Sequence, residues 1–282
     1  MSQDQAISDL LHYKVFTPEN SQAQKQIPLF ILHGLLGSMD NWRSQAKRLS
    51  TNRPVVTMDL RNHGNSPHLK GMSYREMYED VIKLAKHLKT NQFDLLGHSM
   101  GGKVAMQMAL SQKESQSNIV NKLIVVDIAP RPYPLWHQQT LQAVMNAPVE
   151  TMESRKQIDN YLKDSIKDST ERSFMIKNLR RANVTEDSIG SHGFRWKCNL
   201  SEISRGYLKI AGFSTAQQTF SNETLFIRGE NSVYIQNQDA PIIHALFPKS
   251  KIITIKNSGH LPHIQQADEF FHQIDTFLSP LE

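Results

Sequence analysis

The sequence predicts an α/β fold: a mostly parallel central sheet with helices on both faces and a helical cap inserted between two strands. Short apolar runs alternate with amphipathic stretches along the chain, which is the order typical of a parallel sheet covered by helices. The alternation stops after residue 130 and resumes near residue 221. A Gly-x-Ser-x-Gly motif, residues 97–101, lies between an apolar run and a helical stretch.

The first half of the chain supplies three predicted strands. They are the apolar runs at 27–32, 55–58 and 93–96, and each run ends at a loop signal, as buried strands of a parallel sheet do. Residues 74–88 carry apolar side chains at helical spacing and predict an amphipathic helix between the second and third strands. This alternation favours crossover connections and hence parallel strands.

The same pattern continues towards the C-terminus with one long interruption. We expect a helix at 101–110, strands at 123–126, 225–227 and 252–255, and a closing amphipathic helix at 268–278. The intervening segment is rich in Gln, Lys, Met and Ser, with helical periodicity and no convincing strand.

The 282 residues suffice for one large domain carrying an insertion. We assign residues 1–130 and 221–282 to the core domain and residues 131–220 to a helical cap.

Composition excludes several classes of protein. The net charge is +5, but lysine and arginine are scattered and form no basic run for a nucleic acid. No stretch approaches the roughly 18 apolar residues of a membrane span, and the N-terminal residues lack the pattern of a signal peptide. We therefore expect a cytoplasmic protein. Cys198 is the single cysteine and is expected to serve packing, so we predict no disulfide, metal or cofactor. The sequence makes no prediction about oligomeric state.

The motif around Ser99 predicts a nucleophile. Gly97-His98-Ser99-Met100-Gly101-Gly102 follows an apolar strand and opens a helix, which is the context that a nucleophile elbow requires. A sharp strand-to-helix turn strains the backbone at the serine and needs small residues beside it. Ser99 would then stand clear of the sheet at a helix N-terminus.

Two backbone amides are predicted to stabilise an oxyanion. One is the N–H of Met100, the residue after the nucleophile. The other belongs to the glycine-containing loop that follows the strand at 27–32, and there we choose Leu35. An ordinary glycine-rich turn is the alternative for this loop.

A serine hydroxyl needs a base, and chain order selects among the twelve histidines. In this architecture the base follows the acid and comes last. His260 lies in a glycine-containing loop just after the strand at 252–255, on the edge where Ser99 should project. His263 is the alternative.

The acid has two candidates. The turn after the strand at 225–227, where many proteins of this architecture carry an aspartate, reads Gly229-Glu230-Asn231-Ser232, so Ser232 holds that place. Asp127 ends the apolar strand before the cap, and a carboxylate at that position needs a partner to justify its burial. We choose Asp127 over Glu230, with the role of orienting His260.

These motifs resemble those of the YbfF-type bacterial esterases of the α/β-hydrolase superfamily over nearly the whole chain. The resemblance rests on residues 33–38 (HGLLGS), 59–67 (DLRNHGNSP), 97–103 (GHSMGGK) and 126–130 (VDIAP). It implies an α/β-hydrolase fold with a triad acid before the cap, which supports Asp127. It also implies esterase or thioesterase activity on small to medium acyl groups. The cap segment at 195–199 is similar to the family's Trp-Arg-Phe-Asn pattern but departs from it at Lys197 and Cys198.

Five further residues are predicted to line the pocket: His33, Arg61, His63, His98 and Trp196. A hydrogen-bonded structural loop is the alternative for the stretch around Arg61 and His63, because buried polar groups are normally satisfied in this way.

The sequence thus favours a serine hydrolase that cleaves small-molecule esters or acyl thioesters through an acyl-enzyme on Ser99. A lyase or a C–C bond hydrolase on the same scaffold is the alternative, since a fold does not fix its chemistry. A non-catalytic ligand receptor is disfavoured, because a receptor has no need for serine, histidine and acid together.

Overall fold

A seven-stranded sheet in the order β1-β3-β2-β4-β5-β8-β9 organises the computed structural model, which describes residues 9–112, 119–182, 193–214 and 218–279. Strand β1 is antiparallel to β3, and the other neighbouring strands are parallel. The strands are β1 (Tyr13–Phe16), β2 (Leu29–Leu32), β3 (Val55–Met58), β4 (Phe93–His98), β5 (Val120–Val126), β8 (Thr224–Gly229) and β9 (Ser250–Ile255). The first eight residues, for which the sequence analysis expects no signal peptide, lie outside the described part.

Helices cover both faces of this sheet. They are α1 (Arg43–Leu49), α2 (Tyr74–His87), α3 (Met100–Leu110), α4 (Gln138–Asn146), α5 (Arg155–Leu162), α6 (Ser169–Ile176), α7 (Leu200–Ala211), α8 (Ala240–Leu246), α9 (Pro262–Gln265) and α10 (Ala267–Leu278). Because both faces are covered, β2, β3 and β4 are buried along their whole length, which explains why they read as continuous apolar runs. None of the helices in the described ranges has the length and apolar character needed to span a membrane.

Two apolar clusters form the core, one on each face of the sheet. Trp42 and the inward faces of α1 and α10 pack on one side, with Phe270 and Ile274 fully buried. The larger cluster on the other side contains the inward face of α2, most of α3 and apolar side chains from residues 131–220. The sheet domain and the 131–220 segment therefore share one continuous core.

The segment between β5 and β8, residues 131–220, is hereafter called the insertion. It contains helices α4 to α7, as predicted, and also a small hairpin of β6 (Leu179–Arg181) and β7 (Phe194–Trp196). We expected no strand in this segment, and that prediction was wrong for these six residues. Each strand has only three residues and carries arginine, so neither produces an apolar run that could be recognised.

The parallel strands bring the predicted site residues to one edge of the sheet. Leu35 follows β2, Ser99 follows β4, Asp127 follows β5, Ser232 follows β8 and His260 follows β9. Since the carboxyl ends of parallel strands meet at the same edge, five separate loops converge on one place.

Candidate active site

Ser99 occupies a strained turn between β4 and α3. Its backbone has φ 52° and ψ −117°, a conformation that non-glycine residues rarely adopt. A Cβ on Gly97 would lie 2.2 Å from the carbonyl oxygen of Gly101, and a Cβ on Gly101 would lie 2.5 Å from that of His33. Both glycines are therefore required for the close approach of neighbouring backbone segments that makes this turn possible.

His260 bridges Ser99 and Asp127. The Ser99 hydroxyl donates to Nε2 of His260 at 3.0 Å, and Nδ1 of His260 lies 2.8 Å from Oδ2 of Asp127. An ionised carboxylate can only accept, so Nδ1 carries the proton and Nε2 is left as the acceptor for the hydroxyl. This tautomer is the one in which histidine can take the proton of Ser99.

Asp127 is completely buried and fully engaged in hydrogen bonds. Besides His260, it accepts the main-chain N–H of Gly229 at 3.0 Å and the hydroxyl of Ser232. Ser232, at the position where many related proteins carry the acid, thus donates to the acid itself. Glu230, the alternative acid, instead accepts the main-chain N–H of Asn257 at the surface. The geometry therefore joins Asp127, and not Glu230, to His260.

His263, the alternative base, lies inside the protein and is not bonded to Ser99. Its ring stacks on Trp42 with centroids 4.2 Å apart and planes 7° apart, and burial lowers its pKa to about 3. His98 lies between the two histidines and donates from Nε2 to the carbonyl oxygen of His260 at 2.8 Å. Burial lowers the pKa of His98 well below its usual value, so this ring stays neutral and holds the His260 loop.

Tyr234, which no sequence pattern indicated, completes the surroundings of His260. The two rings stack with centroids 3.8 Å apart and an interplanar angle of 21°. The Tyr234 hydroxyl is hydrogen-bonded to Nε2 of His137 in the insertion at 2.7 Å. His260 is therefore fixed by Asp127 at one ring nitrogen and by an aromatic ring against its face.

The loop after β2 carries Leu35, the predicted oxyanion donor, and the N–H groups that follow Leu35 are hydrogen-bonded. Leu36 has φ 55°, its N–H donates to Nε2 of His63 at 3.2 Å, and Gly37 N–H donates to Gly34 O at 3.0 Å. The N–H groups of Leu36 and Gly37 are therefore already hydrogen-bonded within the protein. Leu35 itself lines the space beside Ser99. Met100 is the first residue of α3, whose first-turn N–H groups have no partner within the helix.

Two of the predicted pocket residues, His33 and His63, instead support this loop from behind, and a third, Arg61, holds the loop between β3 and α2. Nδ1–H of His33 donates to Gly34 O at 2.8 Å, and its Nε2 accepts the N–H of Leu60 at 2.9 Å. Arg61 forms a buried two-point ion pair with Asp80, at 2.6 and 2.9 Å. Burial lowers the pKa of His33 to about 4 and that of His63 to about 3, so both remain neutral supports.

The expectation that all five residues line the pocket is corrected accordingly. His98 does line the cavity beside Ser99, but His33, Arg61, His63 and Trp196 do not. The ring nitrogens of His33 and His63 and the guanidinium of Arg61 are hydrogen-bonded within the loops after β2 and β3 or to α2. Trp196 lies in the hairpin of the insertion, where its Nε1 is buried without a hydrogen-bond partner among the described residues. The hydrogen-bonded structural loop, the alternative considered for this stretch, describes Arg61 and His63.

A cavity lies in front of Ser99 and His260 and is called the main cavity. Its volume is about 820 Å³, including the adjoining open solvent. The insertion supplies much of its wall: His137, Thr140, Asp168, Glu171, Phe174 and Met175. A narrower side groove leaves Ser99 in another direction, lined mainly by Met100, Lys103, Ile128, Tyr133, Trp136 and Tyr207. Two arms therefore meet at Ser99, as the two halves of an ester would require.

Two side chains tie the insertion to the catalytic edge of the core. Lys103 of α3 donates from Nζ to the carbonyl oxygens of Ala211 and Gly212, at 2.9 Å each, at the C-terminus of α7. Asn178 of the insertion donates from Nδ2 to the carbonyl oxygen of Leu36. Of these two, Lys103 carried a signal in the sequence, because a lysine on an otherwise apolar helix needs a specific partner.

The comparisons with known proteins agree with this geometry. A family model described as alpha/beta hydrolase fold matches residues 27–267. The sn-1-specific diacylglycerol lipase ABHD11 of Danio rerio is 36% identical over 278 residues, which cover 96% of this chain and 83% of that protein. The esterase YbfF of Escherichia coli is 27% identical over 253 residues, covering 89% of this chain and 93% of that protein.

A solved esterase structure shows that the similarity extends to the fold. A marine microorganism esterase superposes with a TM-score of 0.85 at 35% identity, covering 96% of this chain and 100% of that chain. These relatives are named for ester cleavage, so they support ester hydrolysis as the general chemistry. The chain belongs to the alpha/beta hydrolase fold family.

Proposed function

We propose that this protein is a carboxylic ester hydrolase that works through an acyl-enzyme on Ser99. The observation that carries the proposal is the unbroken hydrogen-bonded series from Ser99 through His260 to the buried Asp127. A serine hydroxyl beside a neutral, correctly oriented imidazole is the arrangement that activates serine as a nucleophile.

The reaction proceeds in two halves. Ser99 Oγ attacks the ester carbonyl carbon while its proton passes to Nε2 of His260, and the main-chain N–H groups of Leu35 and Met100 donate to the oxyanion. The adduct then collapses with cleavage of the C–O bond, and the leaving oxygen takes the proton from His260. Water, deprotonated by His260, attacks the acyl-enzyme, releases the carboxylic acid and restores Ser99. Asp127 keeps the imidazole in its orientation and stabilises its protonated form.

The substrate proposal follows the arms of the site. We propose small to medium acyl chains, because the side groove is narrow and apolar, and a YbfF-type grouping within the family, because the motifs around Ser99 and Asp127 match that pattern. Residues 131–220 act in this proposal as a cap that shapes both arms. A cytoplasmic location remains a prediction from the sequence.

The test combines labelling with turnover. A fluorophosphonate probe should attach to the wild-type protein at the peptide containing Ser99, and Ser99→Ala should abolish labelling. Ser111→Ala, at the other end of α3, is the matched control and should label normally. Hydrolysis of p-nitrophenyl acetate, butyrate, octanoate and laurate then measures chain preference, and we expect kcat/KM to fall beyond medium chains.

The outcomes separate the alternatives. Absence of labelling, with a known serine hydrolase labelled in the same tube, would contradict the whole proposal. Labelling at Ser99 without cleavage of any ester or thioester would favour the lyase or C–C bond hydrolase. A maximum at laurate would contradict the small-to-medium acyl assignment alone.

A further inference from the structure

Glu171 lies in the wall of the main cavity, and among the described residues its carboxylate has no hydrogen-bond or ion-pair partner. It lies in the first turn of α6, on the face that also brings Asp168 and Met175 to the cavity. Asp168 uses its carboxylate to cap that helix, accepting the N–H groups of Thr170 and Glu171. Within the described ranges, no hydrogen bond or ion pair reaches the side chain of Glu171, so its carboxylate is available to a ligand.

The charges around Glu171 make the main cavity unsuited to anions. Among residues whose positions are described, no lysine or arginine lines this cavity. Burial raises the pKa of Glu171, and the nearby charged groups acting on it are His260, which lowers it, and Asp168, which raises it. Phosphate and carboxylate groups are normally bound by arginine or lysine, so a ligand carrying them would meet unbalanced repulsion here.

The chemistry of the site decides which half of an ester enters the main cavity. His260 must give its proton to the leaving oxygen, so the leaving alcohol lies on the side that His260 lines. His260 lines the main cavity and not the side groove, whereas Met100, an oxyanion donor, lines the side groove and not the main cavity. The alcohol therefore lies beside Glu171, and the acyl chain lies in the apolar groove along Ile128 and Tyr133.

We propose that Glu171 selects the leaving group of the substrate. Esters of alcohols that carry a hydrogen-bond donor, either a second hydroxyl or an ammonium group, are accepted. Leaving groups that carry an anion close to the ester oxygen are rejected. The inference rests on the proposed ester hydrolysis at Ser99 and narrows it, because it assigns the charge and the hydrogen-bonding groups of the leaving alcohol. No new bond-making step is involved, since the leaving alcohol takes its proton from His260 as before.

The test holds the acyl group constant and varies the alcohol. Butyrate esters of choline, glycerol, 3,3-dimethylbutanol and 3-hydroxypropanoate are compared at pH 8, because a high pH favours the ionised form of Glu171, whose pKa is raised by burial. Choline and 3,3-dimethylbutanol have the same shape and differ in charge. Butyryl-N-acetylcysteamine, a neutral thioester, tests separately whether the site also cleaves thioesters.

For the wild type we expect kcat/KM to be about tenfold higher for the choline ester than for its uncharged isostere. We expect kcat/KM to be about tenfold lower for the 3-hydroxypropanoate ester than for the same uncharged ester, because its carboxylate would be repelled by one unscreened charge within several ångströms. Glu171→Gln should bring both ratios close to one, and Glu171→Lys should invert them. The glycerol ester should keep its advantage over 3,3-dimethylbutyl butyrate in Glu171→Gln, since an amide oxygen also accepts, and lose it in Glu171→Ala. Ratios within one variant are unaffected by a general loss of activity, and thermal melting checks that each variant folds.

Glu153→Gln is the matched control, because it removes the same charge from an exposed position of the insertion. Equal charge ratios in wild type and Glu171→Gln would overturn the inference, as would an equal effect of Glu153→Gln. Failure of the proposed function is recognised separately, because p-nitrophenyl butyrate would then also remain uncleaved.

Discussion

Asp127 accepts three hydrogen bonds although it is completely enclosed: from His260, from Ser232 and from the main chain of Gly229. A buried carboxylate is costly unless it is paired and fully hydrogen-bonded. Its main chain is also held, since Asp127 N–H donates to Ile227 O at 2.7 Å. The acid is therefore fixed by β8 on two sides, and its direction towards His260 is set before any substrate binds.

The identity of the acid is testable with two isosteric changes. Asp127→Asn should lower kcat on the order of 10⁴-fold, because an amide favours the wrong histidine tautomer. Glu230→Gln, which touches only the surface turn at Asn257, should leave kcat within about twofold of wild type. Steady-state hydrolysis of p-nitrophenyl butyrate measures both. A nearly unchanged kcat in Asp127→Asn would refute the assignment.

At the scale of single residues, the sequence predicted the reactive residues better than the residues that surround them. Ser99 and His260 were found because a strained turn and chain order each constrain one residue, and the structure joins them by a hydrogen bond. The prediction that His33 and His63 line the pocket was wrong, because a polar motif has the same sequence pattern whether its side chains face a ligand or a buried backbone. Tyr234 has no local pattern at all, since its stacking on His260 depends on two loops that are distant in sequence.

At the scale of elements, the C-terminus of α7 is held by side chains from the core. Lys103 bonds to two of its last carbonyl groups and lies 4.7 Å from the ring centroid of Tyr133, and the Tyr74 hydroxyl donates to Ile210 O. Burial lowers the pKa of Lys103 to about 7. A cation at a helix C-terminus also interacts favourably with the helix dipole.

Replacing this lysine should loosen the insertion more than the sheet. Lys103→Met keeps the apolar stem but removes every donor, which leaves buried carbonyl groups unsatisfied at about 1–3 kcal/mol. We expect faster amide hydrogen exchange across α7 and little change in β4 and β5. Exchange that accelerates equally in the sheet, or nowhere, would contradict a docking role. Lys209→Met, on α7 itself and exposed, is the control.

Asn178 links the insertion to the loop that carries Leu35. Its amide donates to Leu36 O, while the N–H of Leu36 is held by His63 on the other side. Asn178→Ala should lower kcat about tenfold with little change in KM, because a displaced oxyanion donor weakens the transition state and not substrate binding. Asn178→Asp, whose carboxylate cannot donate to a carbonyl, should behave like the alanine variant. A change in KM alone would assign Asn178 to binding.

The strands that the sequence failed to predict are short, and none lies at the centre of the main sheet. Strand β1 has four residues, of which Lys14 and Val15 are exposed, so it lacks the apolar run of a central strand. The hairpin of β6 and β7 is shorter still. By contrast, the strand at 55–58 was predicted with its correct bounds. Strand β3 is buried on both faces, and a strand buried in this way forms a recognisable apolar run.

At the scale of the whole molecule, a set of neutral histidines is built into the core. His33, His63, His98 and His263 are each at most 3% exposed, and burial lowers the pKa of every one of them. In the unfolded chain a histidine binds a proton near pH 6.5. Below that pH the unfolded state therefore holds protons that the folded state excludes, and the folded state loses stability as pH falls.

The loss should begin near pH 6.5 and continue until the folded-state pKa values, about 3 to 4, are reached. Each such histidine contributes ~1.4 kcal/mol per pH unit to the slope over that window. Urea unfolding at pH 8.0, 6.0 and 5.0 should therefore show a steep decline in the free energy of unfolding. A constant value over this range would contradict burial of these rings in the neutral form.

One substitution isolates a single member of the set. His263 stacks on Trp42, and within the described part of the chain neither of its ring nitrogens has a hydrogen-bond partner. His263→Phe keeps the aromatic stack and removes both the unsatisfied nitrogens and the titration. We expect stability equal to or above wild type at pH 8.0, since no hydrogen bond is lost, and a slope between pH 6.0 and 5.0 that is smaller by ~1.4 kcal/mol per pH unit. An unchanged slope would show that His263 is protonated in the folded protein. Because His263 also contacts His98, which holds the His260 loop, kcat measured in parallel shows whether the stack positions the base as well as stabilising the core.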